Sequence, residues 1–152
     1  MNIYIGADHR GFKLKEYIKK FLLDKAYQVT DVGAASEVID DDYTDYAGAV
    51  AKKISEDPVG GKGIVICGSG FGVDIVANKF PGVRSALPMS TDHVYQARHD
   101  DDVNVLSLAA DFVGDEETAA KIVMVFLSTP FAKEEKYSRR LKKIASIEES
   151  RN

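Results

Sequence analysis

The strongest chemical signal in this sequence is a single thiol followed by a glycine-rich stretch. Cys67 is the only cysteine, and Gly68-Ser69-Gly70-Phe71-Gly72 follows it directly. Three glycines in five residues permit left-handed backbone angles and close approach of a ligand to the main chain. A helix opening just beyond them turns amide N–H groups to the same place, making a cradle for an anion. A cysteine beside such a cradle suits a base or a nucleophile, because a helix N-terminus favours the thiolate. The same residues also suit a bare strand-to-helix turn carrying a buried structural cysteine. The loop is not a Walker A motif, since no Lys-Ser/Thr pair follows. Its G-x-G-x-G spacing after a third strand is not a dinucleotide fingerprint either.

Other candidates stand elsewhere in the chain. Asp8-His9 follows the first apolar run and reads either as a carboxylate and imidazole facing a polar ligand or as a helix cap beside a surface histidine. His93 has no evident partner and reads as surface. His99 with Asp100-Asp101-Asp102 forms a dense acidic cluster whose spacing matches no metal motif; a solvated loop is the plain alternative. Lys136, Arg139 and Arg140 can pair with a phosphate or simply line a solvated helix face.

The elements that must position these residues follow from the apolar pattern. Strands are predicted at 2–6, 27–32, 63–67, 83–87 and 104–108. Helices are predicted from Phe12 to Leu22, around Tyr46–Ile54, from the glycine loop to about Lys79, over 91–99 and over 115–128. A charged tail helix over 133–149 carries a thin stripe of Leu141, Ile144 and Ile147, suited to packing on a second subunit or to solvent. Strands alternating with helices imply a parallel sheet covered on both faces. The expected fold is therefore a single-domain three-layer α/β/α sandwich over residues 1–152, with a five-stranded parallel Rossmann-like sheet and a C-terminal tail helix. In such a sheet, ligands bind beyond the carboxyl ends of the strands, where the Asp8 and Gly68 loops should lie.

Composition narrows the function. The 152 residues suit one domain, and 45% apolar with 29% charged residues is a globular balance. The net charge of −4 argues against a nucleic-acid surface but not against a small anionic ligand. The longest apolar run, Ile122 to Leu127, is far short of the ~20 residues that span a bilayer. Asp8, His9 and Arg10 interrupt the first apolar stretch before a signal peptide's core can form. A lone cysteine needs no oxidising compartment. A cytoplasmic protein with no membrane partner is expected.

Taken together, the motifs resemble type B ribose-5-phosphate isomerases, a family that also contains galactose-6-phosphate and allose-6-phosphate isomerases. Gly6-x-Asp8-His9-x-Gly11, Asp42-Tyr43-x-x-Tyr46-Ala47, Cys67-Gly-x-Gly-x-Gly72, Ala77-Asn78-Lys79, Gly82-x-Arg84, Asn104-Val-Leu106 and Val113-Gly114 carry the resemblance from residue 2 to about 147. It implies aldose–ketose isomerisation of a sugar phosphate without metal or organic cofactor. Cys67 would remove the proton beside the carbonyl, and the Gly68–Gly72 amides and the Ser69 hydroxyl would hold the enediolate oxygen. Asp8 and His9 would contact the substrate, with His9 near the phosphate. The assembly would be a homodimer or homotetramer with active sites shared between chains.

The sequence departs from the family pattern at three places. Counted without gaps, the family's ring-opening histidine falls on Asp100, beside His99. Either Asp100 replaces the imidazole, its pKa raised by Asp101 and Asp102, or His99 reaches in. Asp101 stands where an asparagine binds sugar hydroxyls. Asp111 replaces an arginine after the fifth strand, putting a carboxylate where it would repel phosphate. The two phosphate-binding arginines map onto Lys136 and Arg140, and lysine loses the bidentate fork. A hexose 6-phosphate or deoxy sugar phosphate is the alternative substrate, and a non-catalytic binding homologue the alternative function.

Overall fold

The computed structural model describes residues 1–150. Strands β1 (Asn2–Ala7), β2 (Gln28–Asp31), β3 (Gly61–Cys67), β4 (Ser85–Ala86) and β5 (Val105–Ala109) alternate with helices α1 (Phe12–Asp24), α2 (Tyr43–Glu56), α3 (Phe71–Ala77), α4 (Thr91–Asp101), α5 (Glu116–Ser128) and α6 (Glu135–Glu149). The strands form one sheet in the order β2-β1-β3-β5-β4, every pair parallel.

The central strand explains the layering. All seven residues of β3 are buried, and successive residues of a strand point to opposite faces. Ile64 and Ile66 pack into one core with Ile18 and Leu22 of α1, Val94 of α4 and Ile122 and Phe126 of α5. Val65 and Cys67 pack into the other with Val50 and Ile54 of α2 and Val73 and Ala77 of α3. The Rossmann-like α/β/α sandwich is thus two cores separated by one parallel sheet. Helix α1 shows the local logic: Leu14, Ile18 and Leu22 recur one turn apart and are all buried. Asp115 caps α5, accepting a hydrogen bond from the Thr118 amide at 2.7 Å.

Two elements differ in extent from the sequence pattern. The fourth strand is two residues long, not five. The Arg84 amide donates to Asn104 Oδ1 (2.8 Å) and the Ser85 amide to Asn78 Oδ1 (2.9 Å), so side-chain amides take bonds that a longer strand would give to a neighbour. Helix α4 runs to Asp101 and stops at Asp102, whose backbone is left-handed (φ 47°) and whose carboxylate binds Arg98 at 2.8 Å. His99, Asp100 and Asp101 are therefore the last turn of a helix rather than a loop. The tail helix has no buried residue. It lies near α4, and Glu148 accepts the Gly82 amide (3.1 Å). Leu141 is half-buried, and Ile144 and Ile147 are exposed.

Strand order reverses between β1 and β3, so the chain leaves these two strands toward opposite faces: α1 covers one core and α3 the other. That divergence opens a crevice beyond their carboxyl ends, bounded by the loops after Ala7 and Cys67.

Candidate active site

Cys67 ends β3 opposite Ala109 of β5. Its side chain packs with residues of α2 and α3, and the residue is 4% exposed. The Gly70 amide donates to Sγ at 3.2 Å, tying the sulfur to the loop. Gly70 takes a left-handed conformation (φ 77°) as the residue before α3, a backbone that glycine adopts without a Cβ penalty. Amides in a first helical turn have no acceptor within their own helix, so those at Phe71 and Gly72 are left for a ligand. The Tyr43 ring lies against Gly72, within 2.6 Å of where a Cβ would stand.

Asp8 sits one strand over. Its amide donates to Ile66 O (3.4 Å), one residue short of Cys67. Its carboxylate accepts the Gly11 amide at 2.9 Å. Gly11 has no room for a side chain, since a Cβ would lie 2.6 Å from the Ile66 carbonyl oxygen. Burial pushes the Asp8 carboxyl above its ordinary value, partly opposed by the Gly11 amide and by His9. His9 is half-exposed and bonds Asp41 through Nδ1 (2.8 Å). That bond raises the His9 pKa against the effect of its partial burial, with Asp8 and Asp40 adding to the rise.

Arg10 and Asp111 pair across the end of β3, and their side chains occupy the space that a Cβ on Gly68 would need. The expected repulsion at Asp111 is corrected by this arrangement: the carboxylate lies against a guanidinium supplied by the first loop, so its charge is offset where a ligand anion would approach.

A second cluster lies elsewhere. His99 Nδ1 and Asp100 Oδ1 are 2.7 Å apart. The His99 ring stacks on Tyr95 (centroids 5.3 Å apart) and meets Tyr137 edge-on at 5.9 Å. Lys136 and Arg140 lie over the Tyr137 ring at 4.5 and 5.8 Å. Arg139 turns away to pair with Glu135. Asp100 and Asp101 line a groove with Arg84, His93 and Ile147. The expected rise in the Asp100 pKa is not found. The hydrogen bond from His99 holds the carboxyl below its ordinary value, with Tyr137 and Lys136 adding to the effect, against slight desolvation. His99 and Asp100, adjacent in sequence, meet side chain to side chain on the last turn of α4.

The two clusters do not meet within one chain. Cys67 is at the carboxyl end of β3, whereas Asp100 and Asp101 precede β5, whose first residue pairs with Gly63. Four strand steps, about 13 Å, and the body of the sheet separate them. Asp8, His9, Cys67, Ser69 and the loop glycines form one group; His99, Asp100, Asp101, Lys136 and Arg140 form the other.

Sequence reasoning did not single out Arg10 or Asp41. Asp41 lies in an acidic stretch with no periodicity, and its only sequence signal is proximity to Asp42-Tyr43. Arg10 could have been suspected as the cation compensating Asp111, but nothing in the spacing places residue 10 beside residue 111.

Residues 3–144 match the model of a family described as Ribose/Galactose Isomerase. The chain is 41% identical over 147 residues to the probable ribose-5-phosphate isomerase B of Mycoplasma genitalium, covering 97% of this chain and 95% of that one. Its fold is similar to the crystal structure of ribose-5-phosphate isomerase B from Mycoplasma genitalium with bound ribulose-5-phosphate (TM-score 0.94, 39% identity, 97% and 96% covered). It is equally similar to ribose-5-phosphate isomerase B of Clostridium thermocellum (TM-score 0.94, 36% identity, 100% of each chain covered).

Proposed function

The chain belongs to the ribose/galactose isomerase family, and from that premise we propose that it is an aldose–ketose isomerase interconverting ribose 5-phosphate and ribulose 5-phosphate. The observation that carries this reading is the sole thiol tied to a glycine loop at a sheet switch point, with the Gly70 amide donating to its sulfur. Relatives named ribose-5-phosphate isomerase B, one with ribulose-5-phosphate bound, support the substrate.

The chemistry needs two proton movers. Opening the furanose ring breaks the bond between C1 and the ring oxygen; a base takes the proton from the C1 hydroxyl and an acid protonates the departing ring oxygen. The His99–Asp100 pair suits this step. With Asp100 ionised, Nδ1 carries the shared proton and Nε2 is left to exchange one with the sugar. This assigns the proton transfer to His99 and its orientation to Asp100. Cys67 thiolate then removes the proton from C2. The electron pair moves to make C1=C2, and charge develops on O1, held by the loop amides and the Ser69 hydroxyl. The thiol returns its proton to C1, the O2–H proton passes to O1, and the carbonyl stands at C2. Asp8 accepts from sugar hydroxyls, Asp101 can do the same, and His9, Lys136 and Arg140 bind phosphate.

Cys67 and His99 lie at opposite ends of the sheet, so a complete site takes the thiol, loop, Asp8 and His9 from one copy and His99, Asp100, Asp101, Lys136 and Arg140 from another. A homodimer is the smallest assembly that satisfies this, and a homotetramer contains it. The acidic residues at 100, 101 and 111 favour a second reading, the same chemistry on another sugar phosphate.

Conversion of ribose 5-phosphate, assayed beside hexose 6-phosphates and a deoxy sugar phosphate, tests the reading. Cys67→Ala should lower kcat by about 10²–10⁴-fold, the range for a lost general base. Equal turnover in wild type and Cys67→Ala would remove the thiol from the mechanism, and turnover confined to another sugar would reassign the substrate.

A further inference from the structure

His9 is held by a residue that the reaction does not otherwise use. Asp41 Oδ1 accepts two hydrogen bonds from this one neighbour, the His9 backbone amide at 2.8 Å and the imidazole Nδ1 at 2.8 Å. The Asp41 side chain is 7% exposed; its second oxygen is buried outside good hydrogen-bond geometry among the described residues, with the Tyr46 hydroxyl of α2 beside the carboxylate. Burying a carboxylate costs stability, so local folding alone gives little reason to place one here. The contact links the loop after β1 to the turn before α2, residues thirty-two apart in sequence. The groups facing this pair are Asp8 beside His9, Asp40 beside Asp41, and Tyr46 on α2. None is cationic.

We infer that Asp41 is a positioning residue that fixes the His9 imidazole by its Nδ1–H, so that Nε2 is turned to meet the substrate's phosphate. The inference rests on the reading above that His9 binds the phosphate. A charge-assisted bond of this kind orients the ring and favours its protonated form. Consistently, the Asp41 carboxyl is held below its ordinary value: burial would raise it, but the two bonds from His9, with the Tyr46 hydroxyl adding to them, outweigh that.

Asp41→Asn tests this, because an amide oxygen still accepts the His9 backbone N–H but carries no charge. Three readouts separate positioning from mere structure. In substrate-free protein, NMR titration of the His9 ring should show protonation lost at lower pH in Asp41→Asn than in wild type. In steady state, at a pH between the two measured His9 titrations, the KM for ribose 5-phosphate should rise by about tenfold, the loss of one charge-assisted bond, while kcat stays within roughly twofold. In wild type KM should climb as pH passes the His9 titration, and in the variant that climb should begin at lower pH. In a His9→Asn background, Asp41→Asn should add nothing further to KM. Additive KM costs, or an unchanged His9 titration, would overturn the inference, including where the variant is simply less well folded. If wild type does not turn over ribose 5-phosphate, the proposed function fails; the His9 titration still reports whether Asp41 controls the imidazole.

Discussion

The Arg10 guanidinium and the Asp111 carboxylate meet across the carboxyl end of β3, above Gly68, although they are 101 positions apart in the chain. Neither charge makes sense there alone. Asp111 by itself would oppose an anionic substrate, and Arg10 by itself would be a mobile side chain beside an open crevice.

Arg10→Ala should therefore weaken binding more than Arg10→Ala/Asp111→Ala does. An uncompensated charge about 4 Å from a ligand anion costs about 1 kcal/mol in a water-like medium, roughly fivefold in KM. Both side chains are partly exposed, so melting temperatures should hardly change. Kinetics of the two variants on ribose 5-phosphate decide it, and a double variant no better than the single one contradicts the pairing argument.

Ring opening and proton transfer between carbons can be read apart, because ribulose 5-phosphate has no ring to open. His99→Asn should slow consumption of ribose 5-phosphate by roughly 10²-fold, and Asp100→Asn by less, since the imidazole remains. Neither should much affect exchange of the ribulose 5-phosphate C1 proton with deuterated solvent, which Cys67→Ala should abolish. Exchange lost in His99→Asn would place the imidazole in the wrong step.

Mixing two impaired proteins should restore activity. A chain with Cys67→Ala still supplies His99, and a chain with His99→Asn still supplies Cys67. Each mixed dimer then holds one intact site and one doubly defective site. After unfolding and refolding together, the mixture should recover about a quarter of wild-type activity. No recovery, with mixed dimers present by native mass spectrometry, would mean that each chain builds its own site.

Acid stability should hinge on Asp31. Its carboxylate binds the buried Lys15 at 2.8 Å and Lys19 at 2.7 Å. Burial would raise the Asp31 pKa, but these two ammonium groups and the Gly33 amide bring it below its ordinary value. A depressed folded-state pKa contributes stability that is fully present above the unfolded value near 4 and lost as pH falls through the folded value. Asp31→Asn leaves the buried Lys15 ammonium with Glu16 (3.1 Å) and the Ala34 carbonyl (2.7 Å), and should cost on the order of 1–2 kcal/mol at pH 7. Urea midpoints for the two proteins should converge as pH drops below 4, and a gap independent of pH would exclude this carboxylate as the cause.

Much of the fold could be read in the chain because it depends on local periodicity. The run from Gly63 to Cys67 reads as a buried strand, and the structure extends it to Gly61 with every position buried; the spacing of Leu14, Ile18 and Leu22 buries one helix face. What the pattern hid was set by partners distant in sequence. The fourth strand shrank because Asn78 and Asn104 side chains compete for its amides. These are motif residues, and here they hold backbone in place rather than meet a ligand. In the candidate site, the thiol and its loop were legible because glycine and cysteine are chemically distinctive. Asp41 was not, because an aspartate among Asp40, Asp41 and Asp42 has no mark until His9 is brought beside it.

The separation of the two clusters by a full sheet has a consequence for regulation. On the proposed shared site, a lone chain that holds the thiol at one pole and the imidazole at the other would lack half of its machinery, and association itself would be the on-switch. Specific activity would then fall on dilution, and a cell making little of this chain would lose turnover faster than its copy number declines.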